Sequence, residues 1–318
     1  MVTPPRKLES LRDAYGEALV ELGERDPELV VFDAGLSGST RTTLFGQRFA
    51  PRFYNVGAME STMMSMAAGM SLSGRTVYAS SFAVFAAGQA YNFVRQSICY
   101  NRANVKIVAT HGGVLVGADG GMHQMDEDIG LMRGLPGMSV IVPADAPTAR
   151  AATFAVHDRA GPAYVRLSRE DLPTVTDGSF AIGKAAELRA GSDLTIVAVG
   201  ALLARALDVA EELGAVGIST RVLDLASVKP FDEPALLRAA RDTGALLVLE
   251  EHTVLTGVGA LVAAVTSENY PVPVRRVGVP DVFGESGAPW ALLDRYGMSK
   301  ERIRDEAWEL LKLRGKAQ

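Results

Sequence analysis

Short apolar runs rich in β-branched residues alternate along this chain with longer stretches of helical period, the pattern of parallel sheets covered by helices on both faces. In the first half the runs fall at 29–32, 76–79, 105–110, 139–142 and 163–167, and helices are predicted over 8–23, 59–71, 85–100 and 146–158. Glycine or proline punctuates the ends of these segments. From about 172 to 190 the pattern lapses into Leu-Pro-Thr-Val-Thr-Asp-Gly-Ser-Phe-Ala-Ile-Gly-Lys, which reads as a linker. A second alternation follows, with strands at 194–200, 219–223, 245–250 and 274–279 and helices at 201–213, 233–241, 257–267, 289–296 and 300–313. The chain therefore reads as α/β, with two doubly wound domains over 1–180 and 181–318 and no internal repeat.

Composition narrows the class. A length of 318 residues suits two domains, and 48% hydrophobic with 22% charged residues is ordinary for a soluble globular chain. The net charge of −5 and scattered arginines give no basic face for nucleic acid. No apolar run approaches the roughly 18 residues of a membrane span. The opening Met-Val-Thr-Pro-Pro-Arg-Lys lacks the apolar core of a secretion signal. The single cysteine, Cys99, has no partner for an internal disulfide. The expectation is a cytoplasmic protein.

Three segments carry candidate chemistry, each placed after an apolar run. The stretch His111-Gly-Gly-Val-Leu-Val-Gly-Ala-Asp119-Gly-Gly-Met-His123-Gln124 holds two of the four histidines and is too rich in glycine for a regular helix or strand. Ligands in open α/β sheets bind outside the carboxyl ends of strands. His111 and His123 can thus face one crevice, with the glycines letting backbone approach a ligand and neutral imidazoles exchanging protons near pH 7. The plain alternative is that both histidines satisfy a surface loop. A zinc site fits poorly, since the spacing matches no common ligand set and no cysteine is near. In the second segment, Glu60 is the only ionised side chain between Asn55 and Gly74, so it is either a helix N-terminal acid or a carboxylate buried for a purpose. In the third, Phe82 and Phe85 stand three apart and can wall a flat ligand or simply pack a core.

Taken in order, Asn55-Val-Gly-x-x-Glu60, Ser80-x-Phe82-x-x-Phe85, His111-x₅-Gly-x-Asp119-Gly-x-x-His123-Gln124 and Val142-Pro-Ala-Asp145 resemble the pyrimidine-binding domain of the transketolase family of thiamine diphosphate enzymes. The second α/β unit resembles the family's C-terminal domain. The resemblance implies transfer of a two-carbon ketol unit from a ketose phosphate to an aldose phosphate. It implies that Glu60 hydrogen-bonds the pyrimidine N1′ of the cofactor, that Phe82 and Phe85 pack against the aminopyrimidine ring, and that His111 and His123 handle substrate hydroxyl and carbonyl oxygens. By the same resemblance Asp119 reads a substrate hydroxyl, while Arg12, Ser37 and Arg169 bind the sugar phosphate, a role suited to the planar guanidinium fork. For Arg12 a solvated helix position is an equal alternative.

Departures from the family pattern are as informative. Full-length members begin with a domain whose Gly-Asp-Gly motif and downstream asparagine hold Mg²⁺ and the cofactor diphosphate. No Gly-Asp-Gly occurs here, nor any Walker-type loop, and a diphosphate needs a metal or backbone amides to neutralise it. The implied protein is the C-terminal subunit of a split transketolase, inactive alone and completed as an α₂β₂ assembly by a separate chain carrying the Gly-Asp-Gly site. Ala58-Met59-Glu60-Ser61 replaces a more usual Ile-Ala-Glu-Gln, and Gly88 stands where many relatives place a tyrosine, which bears on substrate range. A deoxyxylulose phosphate synthase usually has arginine at the position of His111, and a 2-oxo acid dehydrogenase β subunit carries His-Ser-Gln in place of His123-Gln124-Met125. A non-catalytic scaffold has no need of Glu60, both phenylalanines and both histidines. In the second half, Gly257-Val-Gly259 lacks the rest of a dinucleotide fingerprint and reads as a strand-to-helix turn, and the domain that also carries Glu250-Glu251-His252-Thr253 reads as an assembly module.

Overall fold

The apolar run at 105–110 lies at the centre of the larger of two sheets. In the computed structural model, which describes residues 6–317, the strand Val105–Thr110 is buried throughout and pairs in parallel with Val77–Phe82 and Ala163–Arg166. The start of the N-terminal stretch expected to lack a leader, residues 1–5, lies outside the described residues. The seven strands run in the order Ser227–Lys229, Ser139–Ile141, Ala163–Arg166, Val105–Thr110, Val77–Phe82, Val30–Asp33, Phe53–Asn55. Every neighbouring pair is parallel except the first, which is antiparallel. On one face lie the helices Leu11–Arg25 and Ala146–His157, packing Tyr15, Leu19, Ala149 and Ala152 around Tyr78. On the other lies Glu60–Leu72, which sets Met63, Met64, Ala67 and Ala68 against Phe32 and Ala79. The first helix begins after Ser10, whose hydroxyl accepts the Asp13 amide at 3.2 Å.

The second sheet has five strands in the order Val274–Val279, Leu246–Thr253, Leu194–Val199, Thr220–Asp224, Ala186–Arg189, the last antiparallel to its neighbour. Both sheets are mostly parallel and covered by helices, so the fold class is the one the hydrophobic pattern predicts. Among the described residues no helix is long and apolar enough to cross a membrane.

The structure corrects several local readings. The stretch at 172–190 is no plain linker: Leu172–Pro173 pairs with Leu8–Glu9, and Ala186–Arg189 joins the second sheet. Ser227–Lys229 crosses back from the second half to close the edge of the first sheet. The helix predicted over 85–100 is two π-helical turns, Val84–Gln89 and Val94–Cys99, around the short helix Tyr91–Phe93, with Ala90 N–H donating to Phe85 O and Tyr100 N–H to Arg95 O, both at 3.0 Å. The glycine-rich stretch winds into tight helical turns over Val114–Asp119, broken at Gly117.

Candidate active site

Strand register creates the site. Phe82 and Thr110 are cross-strand neighbours at the carboxyl ends of two central strands, so Phe82 and His111 emerge side by side. Their rings stack with centroids 3.7 Å apart and planes 20° from parallel. His111 holds a left-handed φ of 60°, uncommon for a residue with a side chain, and its Nδ1 lies 2.8 Å from Thr110 Oγ1. Burial pushes the imidazole pKa down to about 3, and the nearby charges of Arg12 and Arg169 push the same way. The ring is therefore neutral at physiological pH and acts by hydrogen bonding.

The chain returns through the Val114–Asp119 turns and a bridge between Gly113 and Met125, which brings His123 to the same place. His123 meets Phe85 edge-on at 5.9 Å and Phe82 at 6.5 Å, and Phe82 and Phe85 lie 6.0 Å apart with planes 13° from parallel. The expected rings thus form one cluster. The π-helical turn that starts at Val84 carries Phe85 into it. Beside this cluster, a Cβ on exposed Gly88 would touch Met125 at ordinary van der Waals distance, so Met125 occupies the neighbourhood a larger residue at 88 would face.

A cavity of about 520 Å³ opens against this cluster, and Phe82, His111, Asp119, Arg12 and Arg169 all line it. Arg169 Nη1 donates to Val116 O at 2.9 Å and its Nε is 3.7 Å from Asp119 Oδ2, so the cation is tied to the His111–His123 segment. Arg12 Nη1 donates to Ser39 O at 3.1 Å, while its Nε is buried without a hydrogen-bond partner. Burial, then the charge of Arg41 and more weakly that of Arg169, lower its pKa against the opposing pull of Asp13 and Asp171. Ser39, rather than Ser37, lines the cavity. Ser37 opens the short helix Ser37–Thr40, which Asp33 organises from the end of its strand by accepting Thr40 Oγ1 at 2.7 Å, Thr42 Oγ1 at 2.8 Å and the Leu36 amide at 2.6 Å. Sequence reasoning missed Asp33, although an acid closing a β-branched run was a signal for it.

Glu60 stands on the opposite side of the Val77–Phe82 strand end. It is the first residue of its helix, 4% exposed, and its Oε1 accepts Ser81 Oγ at 3.0 Å. Ser80, one residue earlier, points the other way and bonds Tyr15 at 2.8 Å. Among the described residues no group of three or more His, Cys, Asp or Glu side chains is placed to hold a metal ion.

The second domain reaches the site as well, which its reading as an assembly module did not anticipate. Trp290 lines the cavity. Glu251 Oε1 accepts the Leu115 amide at 2.7 Å, and Arg166 Nη2 donates to Glu251 O at 2.8 Å while its Nε lies 3.1 Å from Asp128 Oδ2. Burial pushes the Glu251 carboxyl up to about 7 against the opposing pull of Arg166 and the Leu115 amide. A Cβ at Gly112 would collide with Arg166, and one at Gly113 with Glu251. At Gly117, Gly120 and Gly121 it would meet Pro289, Ser286 and Gly284. The glycines of this segment were expected to admit a ligand, but what they admit is mostly the second domain. The signal in the sequence was the pair Glu250-Glu251 closing the apolar run from Leu246 to Leu249.

Comparison with known proteins agrees with this architecture. The transketolase pyrimidine-binding domain family matches residues 9–175, and the transketolase C-terminal domain family matches 183–303. A Methanocaldococcus jannaschii protein provisionally named a transketolase C-terminal section is 41% identical over 307 residues, covering 95% of this chain and 96% of its own length. The 6-deoxy-6-sulfo-D-fructose transketolase subunit SqwH of Clostridium sp. (strain MSTE9) is 39% identical, covering 94% of each chain. A solved structure described as a split gene transketolase, inactive beta4 tetramer, superposes with a TM-score of 0.90 at 48% identity, covering 96% of this chain and 99% of that one. This chain belongs to the thiamine-dependent transketolase family, of which it comprises the pyrimidine-binding and C-terminal domains.

Proposed function

We propose that this chain is the catalytic C-terminal subunit of a split transketolase, moving a two-carbon ketol unit from a ketose phosphate to an aldose phosphate once a separate chain supplies the diphosphate and Mg²⁺ site. The observation that carries the reading is the convergence of Phe82, Phe85, His111 and His123 beside a cavity furnished with Arg12, Arg169 and Asp119. The residues also fit the family's cofactor. Glu60 is a buried carboxyl with a single hydroxyl donor among the described residues, and the near-parallel phenylalanines offer a flat aromatic ring an edge and a face. Thiamine diphosphate, when bound, supplies the nucleophilic carbon and the electron sink that this reaction needs.

The chain's own groups then divide the remaining work. Glu60 exchanges a proton with the pyrimidine nitrogen. Neutral His111 donates or accepts a hydrogen bond at a substrate oxygen without carrying charge, and His123, less buried and facing Phe85, moves a proton at the reacting oxygen. Arg12 and Arg169, which both line the cavity, hold the phosphate. The split arrangement is supported by relatives described as a transketolase subunit and as an inactive tetramer of one subunit type, each matched over nearly its whole length. We place the α₂β₂ complex in the cytoplasm.

The decisive experiment co-purifies this chain with a neighbouring-gene product carrying Gly-Asp-Gly and assays ketol transfer with thiamine diphosphate and Mg²⁺. Activity in the complex and none in either chain alone is expected. Turnover by the isolated chain, or a His123→Ala complex as fast as wild type, would refute the respective assignment.

A further inference from the structure

The contact between the two domains offers more than adhesion. The segment from His111 to His123 touches the second domain along its length, but most of those contacts are van der Waals approaches to glycines. One is different in kind. The Glu251 carboxylate, buried near the carboxyl end of the strand Leu246–Thr253, reaches across to the turn that follows Gly113 and takes its Leu115 amide at 2.7 Å, with the Val114 amide also directed at it. Arg166, from the first sheet, fixes the other end of Glu251 by donating to its backbone carbonyl and is itself held by Asp128, which also accepts the Tyr164 hydroxyl at 2.6 Å. Glycines at 112 and 113 leave no space between these groups. The turn so gripped lies three residues after His111 and directly before Asp119, and its Val116 carbonyl accepts from Arg169. Three cavity groups therefore depend on where this turn sits.

We propose that Glu251 of the second domain is a positioning residue for sugar recognition: its carboxylate clamps the Val114–Leu115 amides, and through that turn holds His111, Asp119 and Arg169 in their places on the cavity wall. The proposal rests on the transketolase reading of the cavity. Glu60 and Phe85 lie on elements that the clamp does not touch, so the clamp reaches the cofactor side only indirectly, through the packing of His111 and His123 on Phe82 and Phe85, and its main effect falls on the sugar.

Two variants in the full chain test this. Glu251→Gln keeps the shape but puts an amide nitrogen against one of the two backbone donors, and Glu251→Leu removes the acceptor altogether. In Glu251→Gln, amide exchange of Val114 and Leu115 is expected to speed by about tenfold relative to the strand Leu194–Val199, in chain that unfolds cooperatively. In the complex with the partner subunit, KM for the ketose phosphate rises about fivefold while half-saturation by thiamine diphosphate stays within twofold. Glu251→Leu, if folded, exceeds both effects. Exchange at Leu115 unchanged within twofold overturns the clamp, and so does a parallel rise in sugar KM and cofactor half-saturation, since that marks general damage. Exchange is read on the isolated chain, so it judges the clamp even if the wild-type complex transfers no ketol unit and the activity reading falls.

Discussion

Three of the buried glutamates, Glu60, Glu250 and Glu251, differ in one respect. Glu250 spends its two oxygens on the Val258 and Gly259 amides at 2.6 and 2.7 Å, fastening the start of the helix Val258–Asn269. Glu251 takes the Leu115 amide. Glu60, buried as deeply as a helix start allows, has one serine hydroxyl among the described residues. Burial of a carboxylate is therefore no mark of function by itself, because Glu250 and Glu251 are both bound by backbone amides and hold chain segments in place. Among the described residues Glu60 has that hydroxyl alone, from Ser81, the residue before Phe82 of the aromatic cluster, and in the proposed function a heteroaromatic nitrogen completes its shell.

The largest expected effect tests this contrast directly. Glu60→Gln in the reconstituted complex lowers kcat by about 10³-fold, within the range for loss of a general acid–base group. Unfolding in urea moves little, because the amide oxygen still accepts the Ser81 hydroxyl. Steady-state assay and denaturation on the same preparation check both halves, and a loss under tenfold would put Glu60 among the structural carboxylates. The converse is Glu250→Leu, which strands the Val258 and Gly259 amides in a buried place. It costs about 3 kcal/mol of stability, at about 1–3 kcal/mol for each orphaned donor, read as a fall in urea midpoint. Folded Glu250→Leu complex keeps its cofactor affinity, whereas a stability loss below about 1 kcal/mol shows that the helix start finds other acceptors.

Asp224 gives the comparison a fourth member with no donor at all on Oδ1. Burial and the nearby Asp145 push its pKa up to about 7. Its folded value lies above the unfolded one, so between about pH 4 and pH 7 the native state binds more protons than the unfolded chain. Stability from this group is thus full below the unfolded pKa and falls as pH rises toward 7. Asp224→Asn removes the ionisation and flattens that fall, which between pH 5 and the folded pKa spans roughly two pH units and so comes to about 3 kcal/mol at about 1.4 kcal/mol per unit. Denaturation at pH 5 and pH 8 checks the sign, and equal losses at both would locate the raised carboxyl elsewhere.

How much of this was legible beforehand depends on how local the cause is. The strands Val105–Thr110 and Leu194–Val199 announce themselves as apolar runs because both faces of a parallel sheet are buried. Phe53–Asn55 and Ser227–Lys229 are three residues each and owe their pairing to distant partners, so no periodicity reveals them. The cluster of Phe82, Phe85, His111 and His123 was readable because each follows a strand in its own motif. The meaning of Gly112 and Gly113 was not, since Arg166 and Glu251, the residues that demand them, are remote in sequence and one belongs to the other domain. The π-helical turn at Phe85 likewise has the composition of an ordinary helix and differs only by one residue of register.

The smallest effect separates the two adjacent serines that face opposite sides of one strand. Ser80 Oγ pairs with Tyr15 OH in the core behind the sheet, and Ser81 Oγ donates to Glu60 in front of it. Each alanine variant removes one buried hydrogen bond, so both lose about 1 kcal/mol of stability. They part in turnover. Ser81→Ala takes away the hydroxyl that orients the Glu60 carboxylate, and a misdirected proton acceptor worth about 1 kcal/mol of barrier lowers kcat about fivefold. Ser80→Ala leaves that carboxylate untouched and keeps kcat within about twofold of wild type. Urea denaturation confirms that the two variants are equally weakened, and the ratio of their kcat values is then free of any general loss of fold. Equal kcat in both would mean that the Ser81 hydroxyl serves packing alone and that Glu60 is aligned by its helix.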